Sequence, residues 1–121
     1  MAMRLGDAAE VARAFNTTDI ADYVALVGQT AADGEVPEPL IGALFSYLLG
    51  VKLPGIGTNY LKQESEFKAA ARVDETMFAR VEITRLRPEK HLVDLKTTCR
   101  NANGELICDG RALVYVEDVQ R

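Results

Sequence analysis

The apolar run in the middle of the chain constrains the fold more than any other feature. Between residues 40 and 49 only Ser46 and Tyr47 carry polar side-chain atoms, so a helix here is apolar on nearly all sides and must be covered by other elements. A proline at its start and a glycine at its end suit the first position and the exit of a helix. The pattern therefore predicts a buried helix over about residues 39–50.

The apolar residues after this run alternate with polar ones, which is typical of strands with one buried face. Strands are predicted over residues 59–67, 75–86, 92–101 and 105–116. The Asn103-Gly104 pair is a two-residue hairpin signal, and it sets the register of the last two strands. The side chains predicted to face the core are Met77, Ala79, Val81, Ile83, Val93, Leu95, Thr97, Cys99, Leu106, Cys108, Ala112 and Val114.

Counting outward from the hairpin places the two cysteines of the chain opposite each other. Without a bulge, the count gives the pairs Cys99–Cys108, Arg100–Ile107 and Asn101–Leu106. Two interpretations of the cysteines stay open: a redox pair, or two small buried apolar residues, which a reducing cytosol favours. The chain has no Cys-x-x-Cys motif and a single histidine, so a structural zinc site is not expected.

The first third of the chain is predicted to hold a strand, a short helix and a loop. Residues 4–15 are rich in alanine but favour a strand that leads into the fold. Residues 16–28 predict an amphipathic helix in which Thr17 or Thr18 caps the free N–H groups of the first turn. Residues 29–39 are a loop by composition.

A single apolar helix followed by alternating strands predicts an α+β hot-dog fold, in which an antiparallel sheet wraps around the helix. The length of 121 residues suits a single domain over residues 1–121. The net charge of −4 and the lack of a Lys/Arg cluster give no reason to propose nucleic acid or a membrane as partner. The apolar run is too short to span a bilayer and the first residues lack a signal-peptide core, so we expect a cytoplasmic protein.

The central helix and the segment after it also resemble a known family. A helix that ends in Leu-Leu-Gly runs into Leu-Pro-Gly-x-Gly-Thr-x-Tyr-Leu-x-Gln, which is similar to the MaoC-like (R)-specific enoyl-CoA hydratases. The resemblance covers nearly all of the chain after residue 36, and residues 23–28 fit the end of the family's first helix. The positions that match the pattern are Leu53, Pro54, Gly55, Gly57, Thr58, Tyr60, Leu61, Gln63 and Phe67.

The resemblance implies an acyl-thioester protein whose acyl chain lies along the central helix. The ligand would be a thioester of coenzyme A or of acyl carrier protein, and no other cofactor is implied. Two subunits pair edge to edge in the family, so a homodimer is expected, or a heterodimer with an active hot-dog subunit. Gly55, Gly57, Tyr60 and Gln63 are the predicted substrate-binding residues, although a tight turn explains the glycines and packing explains Tyr60 equally well.

The chain departs from the family pattern where the chemistry is expected. In the family an Asp after the first helix and a His a few residues later activate water and handle the proton at the α-carbon. Here Gly28 is followed by Gln29, and no histidine lies between Gln29 and the central helix. The family also polarises the thioester oxygen with backbone N–H groups at the start of the central helix, whereas Pro39 has no N–H.

Other residues are candidates to act in place of the missing pair. A carboxylate beside an apolar channel can acquire a raised pKa and serve as acid or base, and the shortened loop offers Asp33, Glu35 and Glu38. The alternative, which we favour, is that they provide solubility and a negative charge at a helix N-terminus. His91 is predicted to be a solvated residue of the turn between two strands.

Basic residues raise a similar choice between a ligand site and a charged surface. The residues that could meet the phosphates of coenzyme A are Arg80, Arg85, Arg87 and Lys90. A charged outer face of the sheet is the alternative interpretation, and it is the one we favour.

Three classes of function stay open from the sequence. The first is a catalytically active hydratase or dehydratase of acyl thioesters with a remodelled site, for which we expect the standard activity to be weak or absent. The second is a non-catalytic subunit that binds an acyl thioester or pairs with an active hot-dog dehydratase. The third is a hot-dog thioesterase that uses a loop carboxylate, which the sequence supports least.

Overall fold

The computed structural model describes residues 3–27, 34–55 and 58–116. A π-helical turn, Leu48–Lys52, continues the second helix, and a short 3-10 turn, Pro88–Lys90, joins two strands. The helices and strands in chain order are β1 (Ala8–Arg13), α1 (Thr17–Val27), α2 (Glu38–Tyr47), β2 (Thr58–Phe67), β3 (Met77–Arg87), β4 (Leu92–Asn101) and β5 (Leu106–Val116).

The strands form an antiparallel five-stranded sheet in the order β1-β3-β4-β5-β2. β1 and β2 therefore lie at the two edges, although β2 precedes β3 in the chain. α2 packs against one face of the sheet, which we call the concave face, and contacts β3 most among the strands. The predicted α+β hot-dog fold is confirmed.

The central helix is buried because apolar side chains occupy most of its circumference. Ile41, Phe45, Leu48 and Leu49 are each at most 1% exposed, and burial of a side chain of this size contributes about 1.5–3 kcal/mol. The helix was predicted to end at Gly50, but the helical backbone continues to Lys52 through the π-helical turn. None of the helices in the described residues is long and apolar enough to cross a membrane.

The N-terminal strand and helix are confirmed, but the predicted cap of the helix is wrong. Asn16, not Thr17 or Thr18, caps α1. The Asp19 N–H donates to Asn16 Oδ1 and the Asn16 N–H donates to Asp19 Oδ2, each at 2.8 Å. This reciprocal pair satisfies two backbone donors, one with each side chain.

The predicted hairpin register is correct at the cysteines and wrong at Arg100 and Asn101. Cys99 pairs with Cys108 as predicted. The ladder then shifts, so Arg100 pairs with Leu106 rather than with Ile107, and the predicted Asn101–Leu106 pair does not form. This bulge turns Ile107 into the core, where it is 0% exposed, and leaves Leu106 half-buried. The other residues predicted to face the core are buried.

Candidate functional site

β2 differs from the central strands because most of its side chains are exposed. Every residue between Thr58 and Phe67 is exposed, whereas β4 alternates between buried and less buried positions. Gln63 pairs with Ala112, which lies in the core, and cross-strand partners share a face. Gln63 therefore lies on the concave face, where α2 leaves it uncovered.

Interactions at both ends place α2 alongside β2 in the antiparallel direction, and we call the space between them the cleft. At one end the Tyr60 hydroxyl interacts with Ser46 of α2, and burial raises the Tyr60 pKa although that interaction opposes the shift. At the other end, burial raises the pKa of the Cys108 thiol, and the negative charge of nearby Glu38 on α2 adds to this shift. Gly42 lies midway on the same face of the helix, and a Cβ added there would meet no atom within 4 Å. The middle of the cleft is therefore open.

A polar cluster lines this cleft on the sheet side. The Gln63 amide, through Nε2, donates hydrogen bonds to Ser65 Oγ at 3.1 Å and to Thr97 Oγ1 at 3.4 Å. Thr97 lies on β4, so Gln63 reaches across the intervening strand β5. The residue of β5 between Ser65 and Thr97 is Gly110, which has no side chain to block this contact.

Gly110 is required at this position by a close approach of two strands. An added Cβ would lie 2.0 Å from the carbonyl oxygen of Glu64 and 2.9 Å from the Cα of Ser65, both backbone atoms. Ser65, Thr97 and Gly110 were not predicted as site residues from the sequence. One pattern could have indicated them: Gly110 interrupts an alternating strand, and a glycine there often marks a close backbone approach.

A second cavity lies at the N-terminal end of α2. It has a volume of about 460 Å³ and is lined by Glu35 and Glu38 together with Phe67, Lys68 and Ala71. The two carboxylates thus share one cavity, as the loop hypothesis requires. Asp33, the third candidate, lies outside the described residues.

The first turn of α2 offers few backbone donors to this cavity. Pro37 and Pro39 have no N–H, and the N–H of Leu40 donates to the carbonyl of Pro37 at 3.0 Å. The first N–H groups of a helix are ordinarily free to bind an anionic oxygen. Of the residues from Pro37 to Leu40, Glu38 is therefore the one whose N–H is left free to bind such an oxygen.

The residues after α2 form a turn in which Gly55 has a structural role. Gly55 has a φ of 96°, a region that favours glycine. It is buried, and its N–H donates to the Leu49 carbonyl at 2.9 Å. The turn therefore accounts for Gly55, while Gly57 lies outside the described residues. Binding of substrate by either glycine stays a prediction.

The two cysteines are free thiols in the core. Cys99 and Cys108 are both 0% exposed. Burial raises the pKa of Cys99 to about 12, and burial also raises that of Cys108, against the opposing effect of Ser65. A raised pKa disfavours the reactive thiolate. No group of three potential metal ligands lies within the described ranges.

Three of the candidate coenzyme A contacts, Arg80, Arg85 and Arg87, lie on the outer face of the sheet, away from α2, and Lys90 lies in the 3-10 turn after β3. Arg80 pairs with Glu82 and with Glu10. Arg87 pairs with Asp94 at 2.6 Å. Arg85 and Lys90 have no ion pair among the described residues. These side chains do not converge on the cleft between α2 and β2, so contact with a ligand bound there stays a prediction.

Known proteins resemble this chain over nearly its whole length. No family model matches it. An (R)-specific enoyl-CoA hydratase from Aeromonas caviae is 31% identical over 126 aligned positions, which cover 93% of this chain and 94% of that protein. The chain belongs to the MaoC-like (R)-specific enoyl-CoA hydratase family.

Two further comparisons agree with this MaoC-like assignment. An (R)-specific enoyl-CoA hydratase from Rhodospirillum rubrum is 42% identical over 77 residues, or 64% of this chain. That match spans 53% of the relative, about half of its length. The solved structure of an (R)-hydratase from A. caviae superposes with a TM-score of 0.89 at 30% identity, over 94% of this chain and 97% of that one.

The single histidine of this MaoC-like chain lies far from the N-terminus of α2. His91 follows the turn between β3 and β4, where its ring packs against Tyr115 and its carbonyl accepts from the Val116 N–H at 2.8 Å. It is partly buried rather than solvated. The cavity at the N-terminus of α2 lies beside Ile107, whose carbonyl accepts from the Lys68 N–H. The run of β5 between Ile107 and Val116 spans roughly 30 Å at about 3.3 Å per residue.

Proposed function

We propose that this chain is an acyl-thioester-binding member of the MaoC-like hydratase family in which the standard hydratase activity is weak or absent. The family fold, with its cleft between α2 and β2, supports the binding of a thioester of coenzyme A or acyl carrier protein. The main observation that supports the loss of activity is the position of His91. Its ring lies at the opposite end of β5 from the helix start, where the family's chemistry takes place.

The start of α2 supports the same conclusion. Hydration of an enoyl thioester needs donors aimed at the oxygen on which negative charge develops. Pro37 and Pro39 remove two of the N–H groups of this turn, and the turn itself uses that of Leu40. The residue in the family's Asp position, Gln29, has an amide that cannot act as a general base at neutral pH.

Crotonyl-CoA hydration tests this proposal. We expect the purified protein to turn over crotonyl-CoA at least about 100-fold more slowly than the A. caviae hydratase in the same assay, because general acid–base catalysis contributes about 10²–10⁴-fold. Calorimetry should still detect saturable binding of crotonyl-CoA. Turnover within tenfold of the reference enzyme contradicts the loss of activity, and an absence of binding contradicts the acyl-thioester assignment.

If residual turnover is found, three substitutions test whether a loop carboxylate is the base. The Glu35→Gln and Glu38→Gln variants remove the two carboxylates of the 460 Å³ cavity, and Asp33→Asn removes the third candidate. A decrease of tenfold or more in one variant would assign the base to that residue. Equal turnover in all three variants would mean that none of these carboxylates takes part.

We further propose that β2 pairs with a second hot-dog subunit, most simply another copy of this chain. An edge strand with free backbone groups is a template for pairing. The exposed fractions of Tyr60 and Leu61 are 41% and 55%, so the same edge also carries apolar surface. Pairing would cover both.

Light scattering after gel filtration tests the pairing. We expect a dimer for the wild type and a monomer for Leu61→Lys, which places a charge in the edge. Leu5→Lys is the matched control, because Leu5 is 66% exposed and lies before β1, at the opposite edge. A dimeric Leu61→Lys variant would show that this edge is not the dimer interface. A monomeric wild type would favour an unequal pair with another subunit.

A further inference from the structure

The outer face of the sheet, opposite α2, contains a cavity that the acyl-thioester cleft does not use. Its volume is about 270 Å³. The apolar part of its wall is Leu113 and Ala112, and its charged side chains are Lys62, Glu64, Arg85, Arg87, Asp94 and Arg111. The chain has a net charge of −4, yet the charged wall of this cavity has a net charge of +2.

Two β-bulges bring the cations to this face. In β2 the register shifts between Tyr60 and Lys62, and in β3 it shifts between Ile83 and Arg85. Ile83 faces the core, so without the shift Arg85 would face the core as well. Bulges commonly re-aim a side chain in this way.

Both bulges adjoin the same row of paired residues. The row crosses four strands as Lys62, Leu113, Asp94 and Arg85. Its two cationic ends are separated by three strand spacings, roughly 14 Å between Cα atoms. Long side chains at both ends can therefore reach a ligand above Leu113.

The carboxylates of the cavity are already engaged by its own cations. Asp94 accepts from Arg87 at 2.6 Å. Glu64 pairs with Lys62 at 2.9 Å and with Arg111 at 3.1 Å, and these two partners lower its pKa. Neither carboxylate is left to neutralise the remaining cation, Arg85.

Two guanidinium groups have unused donors. Arg85 has no hydrogen bond or ion pair to the described part of the chain. The Nε of Arg87 is buried and has no hydrogen-bond partner among the residues that the structure describes, which is uncommon for a buried donor and costs free energy. An oxygen-rich anion in the cavity would accept from both groups.

We propose that this outer-face cavity binds the phosphate group of a small phosphorylated ligand, with Arg85, Arg87 and Lys62 as its principal contacts. Guanidinium groups bind phosphate oxygens through paired N–H donors, which suits this set. The phosphate comes from inorganic pyrophosphate or from the nucleotide end of a coenzyme. The site does not rest on the proposed function, because the sheet separates it from the acyl-thioester cleft, and pairing at the β2 edge would leave the outer face open.

Calorimetric titration with pyrophosphate at low ionic strength tests the site. We expect saturable binding to the full chain, weakened at least fivefold in Arg85→Gln. This variant removes no contact of the described structure, so its fold should be unaffected. Lys52→Gln is the matched control, because it removes one exposed positive charge at the end of the π-helical turn. Its affinity should stay within twofold of the wild type.

The NMR signal of the Arg87 Nε–H group gives a second readout. Pyrophosphate should shift this signal in the wild type, since the described residues offer the Arg87 Nε–H group no acceptor. Adenosine 3′,5′-diphosphate distinguishes the sources: tighter binding than pyrophosphate, with the same loss in Arg85→Gln, favours a coenzyme. No saturable binding, equal losses in Arg85→Gln and Lys52→Gln, or an unmoved Arg87 signal would each overturn the proposal.

Discussion

The central strands and β2 belong to the same sheet but have opposite surroundings. On β4, the concave side chains are buried under α2, and Val93, Leu95 and Cys99 are 0% exposed. On β2 the concave side chains include Gln63 and Ser65, which are exposed. The same antiparallel pairing holds both regions. Pairing alone therefore does not create a core, because burial also requires an element that covers the face.

The difference indicates that the two regions serve different purposes. The central strands supply most of the hydrophobic stabilisation, since apolar burial dominates folding. β2 contributes little burial and instead presents polar groups to the cleft and free backbone groups to the edge. Substitutions in the two regions should therefore differ in their effect on the free energy of unfolding.

The largest effect is expected for Leu95→Ala on β4. Leu95 is 0% exposed, so the variant should lose about 2–5 kcal/mol in the free energy of unfolding, from lost burial and a cavity. Leu61→Ala on β2 is the comparison, and in the isolated subunit it should lose less than about 1 kcal/mol, because Leu61 is 55% exposed there. Urea denaturation measures both, at protein concentrations below those at which a dimer forms. Equal losses under this condition would show that β2 is as well covered as β4 within one subunit.

The next effect is expected for Gly110→Ala, which acts where the two regions meet. The new Cβ would lie 2.0 Å from the Glu64 carbonyl oxygen, so β2 and β5 must separate, at a cost of about 1–3 kcal/mol. Hydrogen exchange should show faster exchange in β2. Gly42→Ala is the control, because its Cβ meets nothing within 4 Å and alanine favours a helix by up to about 1 kcal/mol. A stable Gly110→Ala variant would contradict the close approach.

A smaller effect is expected from alkaline pH, and it reports on the covered side of the sheet. Burial raises the pKa of Cys99 from its usual 9.0 to about 12, so above pH 9 the unfolded chain releases this proton while the folded chain keeps it. The free energy of unfolding should therefore fall as the pH rises from 9 towards 12, by about 1 kcal/mol between pH 9 and pH 10 for this thiol. Cys99→Ala should reduce the slope of a urea titration series over that range. An unchanged slope would mean that Cys99 does not titrate this way.

The smallest effect is expected for Thr97→Val, which removes the partner of Gln63 on β4. The contact is 3.4 Å long and Gln63 is exposed, so water can replace it. The change in the free energy of unfolding should stay below about 1 kcal/mol. A larger loss, measured beside Thr97→Ser, would show that the polar cluster holds β2 in place.

The sequence predicted most of the fold because its patterns are local. The apolar run indicated α2, and the alternation indicated four strands within a few residues of their observed ends. The cap of α1 was predicted wrongly because asparagine and threonine are both favoured at the N-cap position. The hairpin register was predicted wrongly at Arg100 because a bulge adds one residue to a strand without changing its composition.

The candidate site was less predictable because it joins residues that are distant in the chain. Gln63 and Thr97 meet across β5 only because residue 110 is a glycine. Lys62 and Arg85 share a face of the sheet only because two bulges shift their strands. Neither relation is visible in the spacing of the residues along the chain.

The amino-acid sequence by itself determined the central helix, the alternating strands and the lack of a histidine near the first helix, because each depends on residue identity at short range. The tertiary structure alone decided which strand is left uncovered and which charges converge, because these depend on strand order and register. Strand order brings β2 to the edge although it precedes β3 in the chain. That position leaves Gln63 and Ser65 on its concave side uncovered by α2.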